Sequence, residues 1–282
     1  MRKIGFIDHW LDEWHANNYP AWITGRGGGR YGVAYAWAES DKSGGLTTAQ
    51  WCAKYSVQRV SSMEELVERS DCIVVLSPDN PERHVALSAL ALRSGKPVYV
   101  DKTFALTLAE AEGMFDLAEK HRTRMYSTSA LRYAPELGWL EENGISQGGV
   151  ILASARGPGE FINYGIHQIE MIVAAMGTGV QRAMAFGPQG APMLVYEYDG
   201  GRRATVSHLP WNGFSLAVQD ASGHGAELRM EGDMWGPFVD ALLRFFDTGV
   251  PPVPREQTCQ AVAMAEAGLR ALRQPGIWVD LP

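Results

Sequence analysis

In the first half of the chain the apolar positions fall into short unbroken runs at 3–7, 32–38, 72–77, 97–100 and 124–127, with stretches of helical period between them. A strand buried on both faces reads this way, and regular alternation with helices predicts a doubly wound parallel sheet. Two of the helices open on a capping box, Ser62-x-x-Glu65 and Thr107-x-x-Glu110, in which hydroxyl and carboxylate satisfy the free donors at the helix start. Asn80-Pro81 predicts a further start, with proline at the first helical position, and Gly95 its stop.

Beyond Ser129 the period shortens to two. Segments 149–156, 193–198, 202–208, 214–219 and 226–231 alternate apolar with polar residues, as antiparallel strands with one covered face do. Asp199-Gly200-Gly201 is a hairpin signal and 223–225 turns a second corner. Amphipathic helices are predicted from 163 to about 176, near 237–246 and at 256–273. The expected class is therefore α/β: a doubly wound parallel sheet over 1–127, then an α+β domain with an open antiparallel sheet over 128–282.

Composition narrows the classes of partner. At 282 residues and 46% apolar the chain has ample core for two domains. Twenty-five basic against 32 acidic residues leave a net charge of −7 with no basic block, which argues against nucleic acid or an anionic membrane surface and leaves a small neutral or weakly charged ligand. Cys52, Cys72 and Cys259 lack metal or redox spacing and read as buried structural thiols of a reduced compartment. The apolar stretch at 4–7 is too short for a signal peptide or a spanning helix, so a cytoplasmic location is expected. An open sheet with apolar alternation also predicts a homo-oligomer, since flat sheets tend to be covered.

The run Gly95-Lys96-Pro97-Val98-Tyr99-Val100-Asp101-Lys102-Thr103 sets a charged pair where a buried strand should end. Right-handed crossovers bring the carboxyl ends of parallel strands to one edge, so Ser77 and Lys102 are expected to face the same crevice. The second chemical segment is Asn163-Tyr164-Gly165-Ile166-His167-Gln168-Ile169-Glu170. On that helix Ile166, Ile169, Val173 and Met176 form one stripe, while His167 and Glu170 share a neighbouring one. Alone, a lysine at a strand end is commonly solvated and a histidine near a helix start is commonly a cap or a core residue.

These pieces together resemble the Gfo/Idh/MocA oxidoreductases. The resemblance rests on Ser77-Pro78-Asp79-Asn80 with His84 in the following helix, and on Gly95-Lys96-Pro97 leading to Asp101-Lys102-Thr103, which is similar to the family's Glu-Lys-Pro signature. Phe246-Asp247-Thr248-Gly249 and the closing Gly276-Ile277-Trp278-Val279 also match. The family pairs a Rossmann-type nucleotide-binding domain with an open-faced sheet and acts on sugars and cyclitols with NAD or NADP. The resemblance implies Lys102 as the group stabilising an alkoxide, His167 as the base, Glu170 as orienter of the imidazole, and Asn163 at the family's aspartate position, where an amide cannot exchange the proton. It also implies a cofactor edge along Ser77, Pro78, Asp79, Asn80 and Asp101. His84 reads as a packed structural residue.

The first turn departs from the family. A dinucleotide fold carries Gly-x-Gly-x-x-Gly after its first strand. This chain has Gly5-Phe6-Ile7-Asp8-His9-Trp10-Leu11-Asp12, so Asp8 and His9 stand where the cofactor would be met. Bulky and acidic residues there oppose a pyrophosphate. The literal match at Gly27-Gly28-Gly29-Arg30-Tyr31-Gly32 precedes a strand and reads as a decoy loop. Glu39, past the second strand, is placed to hold a ribose diol, a weak preference for NAD. His15, Tyr164, Trp211 and Trp235 are candidates to line or stack on a polyhydroxylated substrate, and the acids and histidines of 8–15 match no metal motif. Hydride transfer between NAD(P) and a carbohydrate is the first expectation. A lyase, hydratase or isomerase of a keto-sugar, or a ligand-binding protein without turnover, stands beside it.

Overall fold

The structure is a computed structural model, and it describes residues 1–188, 190–209 and 212–282. Two compact units emerge. The first comprises Met1–Ala105, Ala109–Ser127 and Phe238–Pro254; the second comprises Leu106–Leu108, Thr128–Pro237 and Arg255–Pro282.

The first unit is built on six strands: β1 Arg2–Asp8, β2 Tyr31–Ala38, β3 Gln58–Arg59, β4 Cys72–Val75, β5 Val98–Val100 and β6 Met125–Tyr126. They lie in the order β3-β2-β1-β4-β5-β6, every pair parallel, which is the doubly wound order that switches direction at β1 and β4. All four residues of β4 are buried, as the unbroken apolar run requires. The expected strands are all present, and β3 is an addition: two exposed edge residues leave no apolar pattern to read.

Helices of this unit are α1 Trp14–Gly27, α2 Thr48–Tyr55, α3 Met63–Arg69, α4 His84–Ser88 and α5 Leu108–Lys120. The Ser62 hydroxyl caps α3 as expected, but the Glu65 carboxylate accepts from the Ser61 amide at 2.8 Å instead of closing the box. Thr47 and Gln50 make the full box at α2. The helix expected after Asn80 is broken into 3₁₀ turns at Pro81–Arg83 and Ala91–Arg93 around the short α4.

The segment Phe238–Pro254 packs with the first unit, although the local pattern placed the change of domain at 127/128. It contains most of α8, Trp235–Thr248, whose Phe238, Val239, Leu242, Leu243, Phe245 and Phe246 are buried. The Phe238 ring meets Tyr19 and Tyr99 at 5.7 and 5.6 Å between centroids, Phe245 meets Tyr126 at 4.8 Å, and Arg26 and Arg30 pair with Asp240 and Asp247. Aromatic burial of this extent outweighs the exposed ion pairs, each worth under about 1 kcal/mol.

The second unit has α6 Pro135–Glu142, β7 Val150–Gly157, α7 Phe161–Met176, β8 Val180–Phe186, β9 Met193–Tyr198, β10 Arg203–His208, β11 Ser215–Asp220, β12 Gly225–Arg229, α9 Arg255–Leu272 and β13 Val279–Asp280. Its seven-stranded sheet runs β12-β11-β7-β10-β9-β8-β13. The sheet is mixed, not purely antiparallel, because β10 lies parallel to β7, and β8 and β13 join strands the alternation marked. Both turn signals join hairpins, β9–β10 and β11–β12. The core lies where α7 and α9 cover one face: Ile166, Ile169, Val173 and Met176 are buried there as the stripe predicts. Tyr196 anchors α9 by donating to the Met264 carbonyl at 3.0 Å. Gly165 is required by contact, since a Cβ there would collide with the Phe161 ring.

Ile73→Ala in the centre of β4 is expected to lower unfolding stability by roughly 2–5 kcal/mol. Urea unfolding followed by tryptophan fluorescence measures it; a loss below about 1 kcal/mol contradicts the packed-strand account.

Candidate active site

Register sets the chemistry of the first unit. Ile7 stands opposite Val75, and Val75 opposite Val100, so Asp8, the Ser77 turn and Asp101-Lys102 leave the sheet on one edge at its switch point. Ser77 has a φ of +73°, unusual for a residue other than glycine; its hydroxyl donates to the Asn80 carbonyl and the Asn80 amide to the Ser77 carbonyl, both at 3.1 Å. Pro78 is half-buried and Asp79 exposed beyond this turn. His84 is fully buried, with its ring nitrogens on the Leu76 and Phe104 carbonyls at 2.6 and 3.1 Å, so it ties α4 to the strand ends; burial pushes its pKa down.

Three carboxylates are buried at this edge. Asp101 is held between His15 Nδ1, the Tyr99 hydroxyl at 3.1 Å and the Lys102 amide at 2.8 Å. Burial raises its pKa, but His15 and Lys102 pull it the other way, and the balance falls at about 2. Glu13 caps α1, accepting from the His15 amide at 2.6 Å and from the Ala16 amide. Burial lifts its pKa to about 7 against the pull of His15 and those amides. Asp8 is completely buried, and neither of its oxygens has a hydrogen-bond partner among the described residues. Burial and the Glu13 charge push its pKa well up, with the His9 and Trp10 amides opposing.

These placements revise several expectations. His15 is 8% exposed, bonded to Asp101 and stacked on Tyr19, so it lies inside the unit and does not line a substrate surface. Asp8 and Asp101 are likewise interior. Asp101 spends its two oxygens on other groups and makes no side-chain ion pair with its neighbour; Lys102 is half-buried and its ammonium makes no ion pair among the described residues. The Lys102–Thr103 peptide is cis.

The first turn does not fit a dinucleotide in the usual pose. A pyrophosphate there is bound by the free amides at the start of α1, and Glu13 already takes two of them. Leu11 is buried within the turn, and Asp12 braces it from the other side through the Leu46 amide at 2.8 Å and Asn17 Nδ2 at 3.1 Å. At the end of β2, Glu39 is bonded to Arg83 and to His9 Nδ1, the latter at 2.7 Å; Arg83 leads in holding its pKa low. Gly28 and Gly29, both with positive φ, stop α1 and turn the chain into β2, so the literal glycine motif is a helix cap.

In the second unit, α7 carries the imidazole. Ser129 Oγ lies 2.7 Å from His167 Nδ1 and itself accepts the Leu131 amide at 3.2 Å. An imidazole held at Nδ1 exchanges protons with a substrate through Nε2. Glu170, expected to orient the ring, instead pairs with Arg132 Nε at 2.8 Å, both groups nearly buried, and Arg132 continues to Gln257. Sequence reasoning missed Ser129 and Arg132. Their signal is the one that picked out Lys102, polar residues following the end of a strand, here β6. Tyr164 is 45% exposed with its ring 6.0 Å from that of His167, and Asn163 is exposed in the first turn of α7. Trp235 opens α8, where Asp233 accepts its amide at 3.0 Å; Trp211 lies outside the described residues.

Cys52 and Cys72 are buried and Cys259 half-buried; burial pushes the first two thiols up to about 11 and about 12, as befits packing residues. No helix among the described residues is long and apolar enough to cross a membrane.

A doubly wound parallel domain joined to an open mixed sheet is the architecture of the dinucleotide-dependent oxidoreductases to which the motifs pointed. Residues 38–129 match the Gfo/Idh/MocA family, described as an oxidoreductase family with an NAD-binding Rossmann fold, which bears out the resemblance over about a third of the chain. That match begins on the last residue of β2, beyond the altered turn. No curated protein matches. Among solved structures, a probable dehydrogenase from Thermotoga maritima is 16% identical with a TM-score of 0.78, over 99% of this chain and 98% of that one. The WlbA dehydrogenase from Bordetella pertussis, in complex with NADH and UDP-GlcNAcA, is 14% identical with a TM-score of 0.76, over 99% and 98%. Biliverdin reductase from Synechocystis, in complex with biliverdin and NADP+, is 17% identical with a TM-score of 0.71, over 95% and 98%. At such identities the likeness is one of fold.

The buried acids give stability a pH dependence. Asp8 and Glu13 keep protons in the folded chain that the unfolded chain loses above about pH 4–4.5, so their contribution falls as pH rises, for Glu13 through about 7 and for Asp8 through its own well-raised pKa. Asp101 works oppositely, losing its contribution as pH drops from about 4 to about 2, and His84 favours the folded state less as pH falls below about 6.5. Asp8→Asn removes one term, so the variant gains on the parent as pH rises from 5 to 8, by at most about 1.4 kcal/mol per unit. Paired denaturant titrations read this; parallel pH profiles contradict an uncompensated Asp8.

Proposed function

We propose that this chain is an oxidoreductase of the Gfo/Idh/MocA type acting on a sugar, cyclitol or related polyhydroxylated small molecule, with NAD or NADP as its redox partner. The observation that carries the reading is Lys102, half-buried and without an ion pair among the described residues, at the carboxyl end of β5 and inside the segment that matches the family. In this reading the Lys102 ammonium hydrogen-bonds the reacting oxygen and stabilises negative charge on it, while His167 takes the hydroxyl proton at Nε2. Ser129 fixes the ring through Nδ1, and the Arg132–Glu170 pair stiffens the turn that carries Ser129 against α7. Tyr164 offers an exposed aromatic face to a sugar ring beside His167. The lean toward NAD rests on Glu39 alone, whose carboxylate is already held by Arg83 and His9, and the open sheet is the surface through which copies of the chain would associate.

One observation favours a second reading. Because Glu13 takes two of the helix-start amides that would meet a pyrophosphate, the same lysine and histidine would serve a cofactor-free elimination, hydration or isomerisation of a keto-sugar equally well. Calorimetric titration with NADH and NADPH separates the two: affinity near micromolar, about −8 kcal/mol, supports the oxidoreductase, and no binding at millimolar cofactor supports the second reading.

Under either reading Lys102→Ala and His167→Ala are each expected to lower turnover at least about a hundredfold with the circular dichroism spectrum unchanged. Normal turnover in one variant removes that residue from the mechanism. Ser129→Ala is expected to lower kcat by roughly tenfold and to shift the acid limb of the pH–rate profile, a change that a purely structural serine does not produce.

A further inference from the structure

We propose that Glu13 is an internal stand-in for a pyrophosphate: its carboxylate masks the dinucleotide seat at the start of α1, and shortening it opens that seat. The inference rests on the oxidoreductase reading for the identity of the displaced ligand. Three observations converge on it. Glu13 takes the His15 and Ala16 amides, the donors an anion would use at the start of a fourteen-residue helix, and it is 3% exposed while doing so. Asp8, fully buried at the end of β1, feels the charge of Glu13, and among the described residues neither of its oxygens has a hydrogen bond of ordinary geometry, so polar capacity beside this helix start is left unfilled. The strand order also puts this helix start at the switch point, where sheets of this kind meet their ligands.

A carboxylate and a phosphate compete for the same helix amides, so a dinucleotide must first displace Glu13 and lose the cap. Serine is a good cap with a shorter, neutral side chain, and Glu13→Ser keeps α1 started while vacating the volume. Glutamine keeps the volume and removes only the charge.

The test is calorimetric titration of NADH and NADPH into the full-length protein, Glu13→Ser and Glu13→Gln, with thermal melting to show that all three are folded. Glu13→Ser is expected to bind at least one dinucleotide ten or more times more tightly than the parent, with Glu13→Gln gaining less than a third of that factor. Parental affinity equal to or above that of Glu13→Ser overturns the masking while leaving the oxidoreductase reading standing. An equal gain in Glu13→Gln overturns it in favour of simple charge repulsion. Absence of binding in all three proteins overturns the masking and also the dinucleotide-dependent reading, and turnover of Lys102→Ala and His167→Ala then decides whether cofactor-free chemistry remains. Should Glu13→Ser melt below the assay temperature, Glu13→Asn, shorter, uncharged and a good cap, is titrated in its place with the same expected gain.

Discussion

Three carboxylates buried within one strand-end cluster, with one imidazole bonded to one of them, are the constraint around which the first unit is arranged. Isolated charges in an apolar interior cost far more than any one contact returns, so each acid must find a donor or give up its charge. Asp101 finds His15 and the Lys102 amide and stays ionised; Glu13 finds the start of α1 and titrates near neutrality; Asp8 finds only weak help from the His9 and Trp10 amides and is driven toward the protonated form. The placement of α1 follows, because His15 must come inward to Asp101 and Glu13 must sit one residue before the helix to cap it. So does the state of Lys102. An aspartate whose oxygens already serve His15 and a backbone amide makes no ion pair with its neighbouring lysine, though it feels that lysine's charge.

Much of this fold was legible because burial on both faces leaves a mark that no surface chemistry can counterfeit. Cys72–Val75 could be little else than a central strand, and its all-buried profile follows from its composition. Short edge elements were not legible. Gln58–Arg59 pairs only by backbone, and Val279–Asp280 is two residues long, so neither carries a period. The return of Phe238–Pro254 to the first unit was hidden for a different reason. An amphipathic helix declares that it has an apolar face, but the identity of the surface it covers resides in Tyr19, Tyr99 and Tyr126, more than a hundred residues away.

Site residues divided along the same line. Lys102, His167 and the Ser77 turn were marked by polar residues standing where apolar elements end. Whether an acid near such a place faces solvent or the interior depends on partners distant in sequence, and this is why His15, Asp8 and Asp101 read as ligand contacts and are packed inside. Glu170 illustrates the limit of spacing. Three residues after His167 it shares a helix face with the ring, yet a guanidinium from the 130–133 turn offers a charged partner, and a nearly buried carboxylate takes the charge before the dipole.

The partial match to the oxidoreductase family then acquires a physical meaning. It starts at Ala38, past β1, the first turn, α1 and nearly all of β2, and that first turn holds Trp10, Leu11, Asp12 and Glu13 where a dinucleotide fold carries glycines. Glycines in that turn exist to let backbone amides approach a phosphate; once an anionic side chain of the protein itself satisfies those amides, nothing requires the glycines, and bulk that stabilises the turn is free to accumulate. The absence of the glycine fingerprint and the capping of α1 by Glu13 are thus physically compatible features of one turn. The edge at β4 and β5 stands apart from it: the Ser77 turn, His84 and Lys102 are held by the sheet and by each other's backbone, and none of their contacts passes through residues 9–13. The strand ends at β4 and β5 are therefore held independently of the altered first turn.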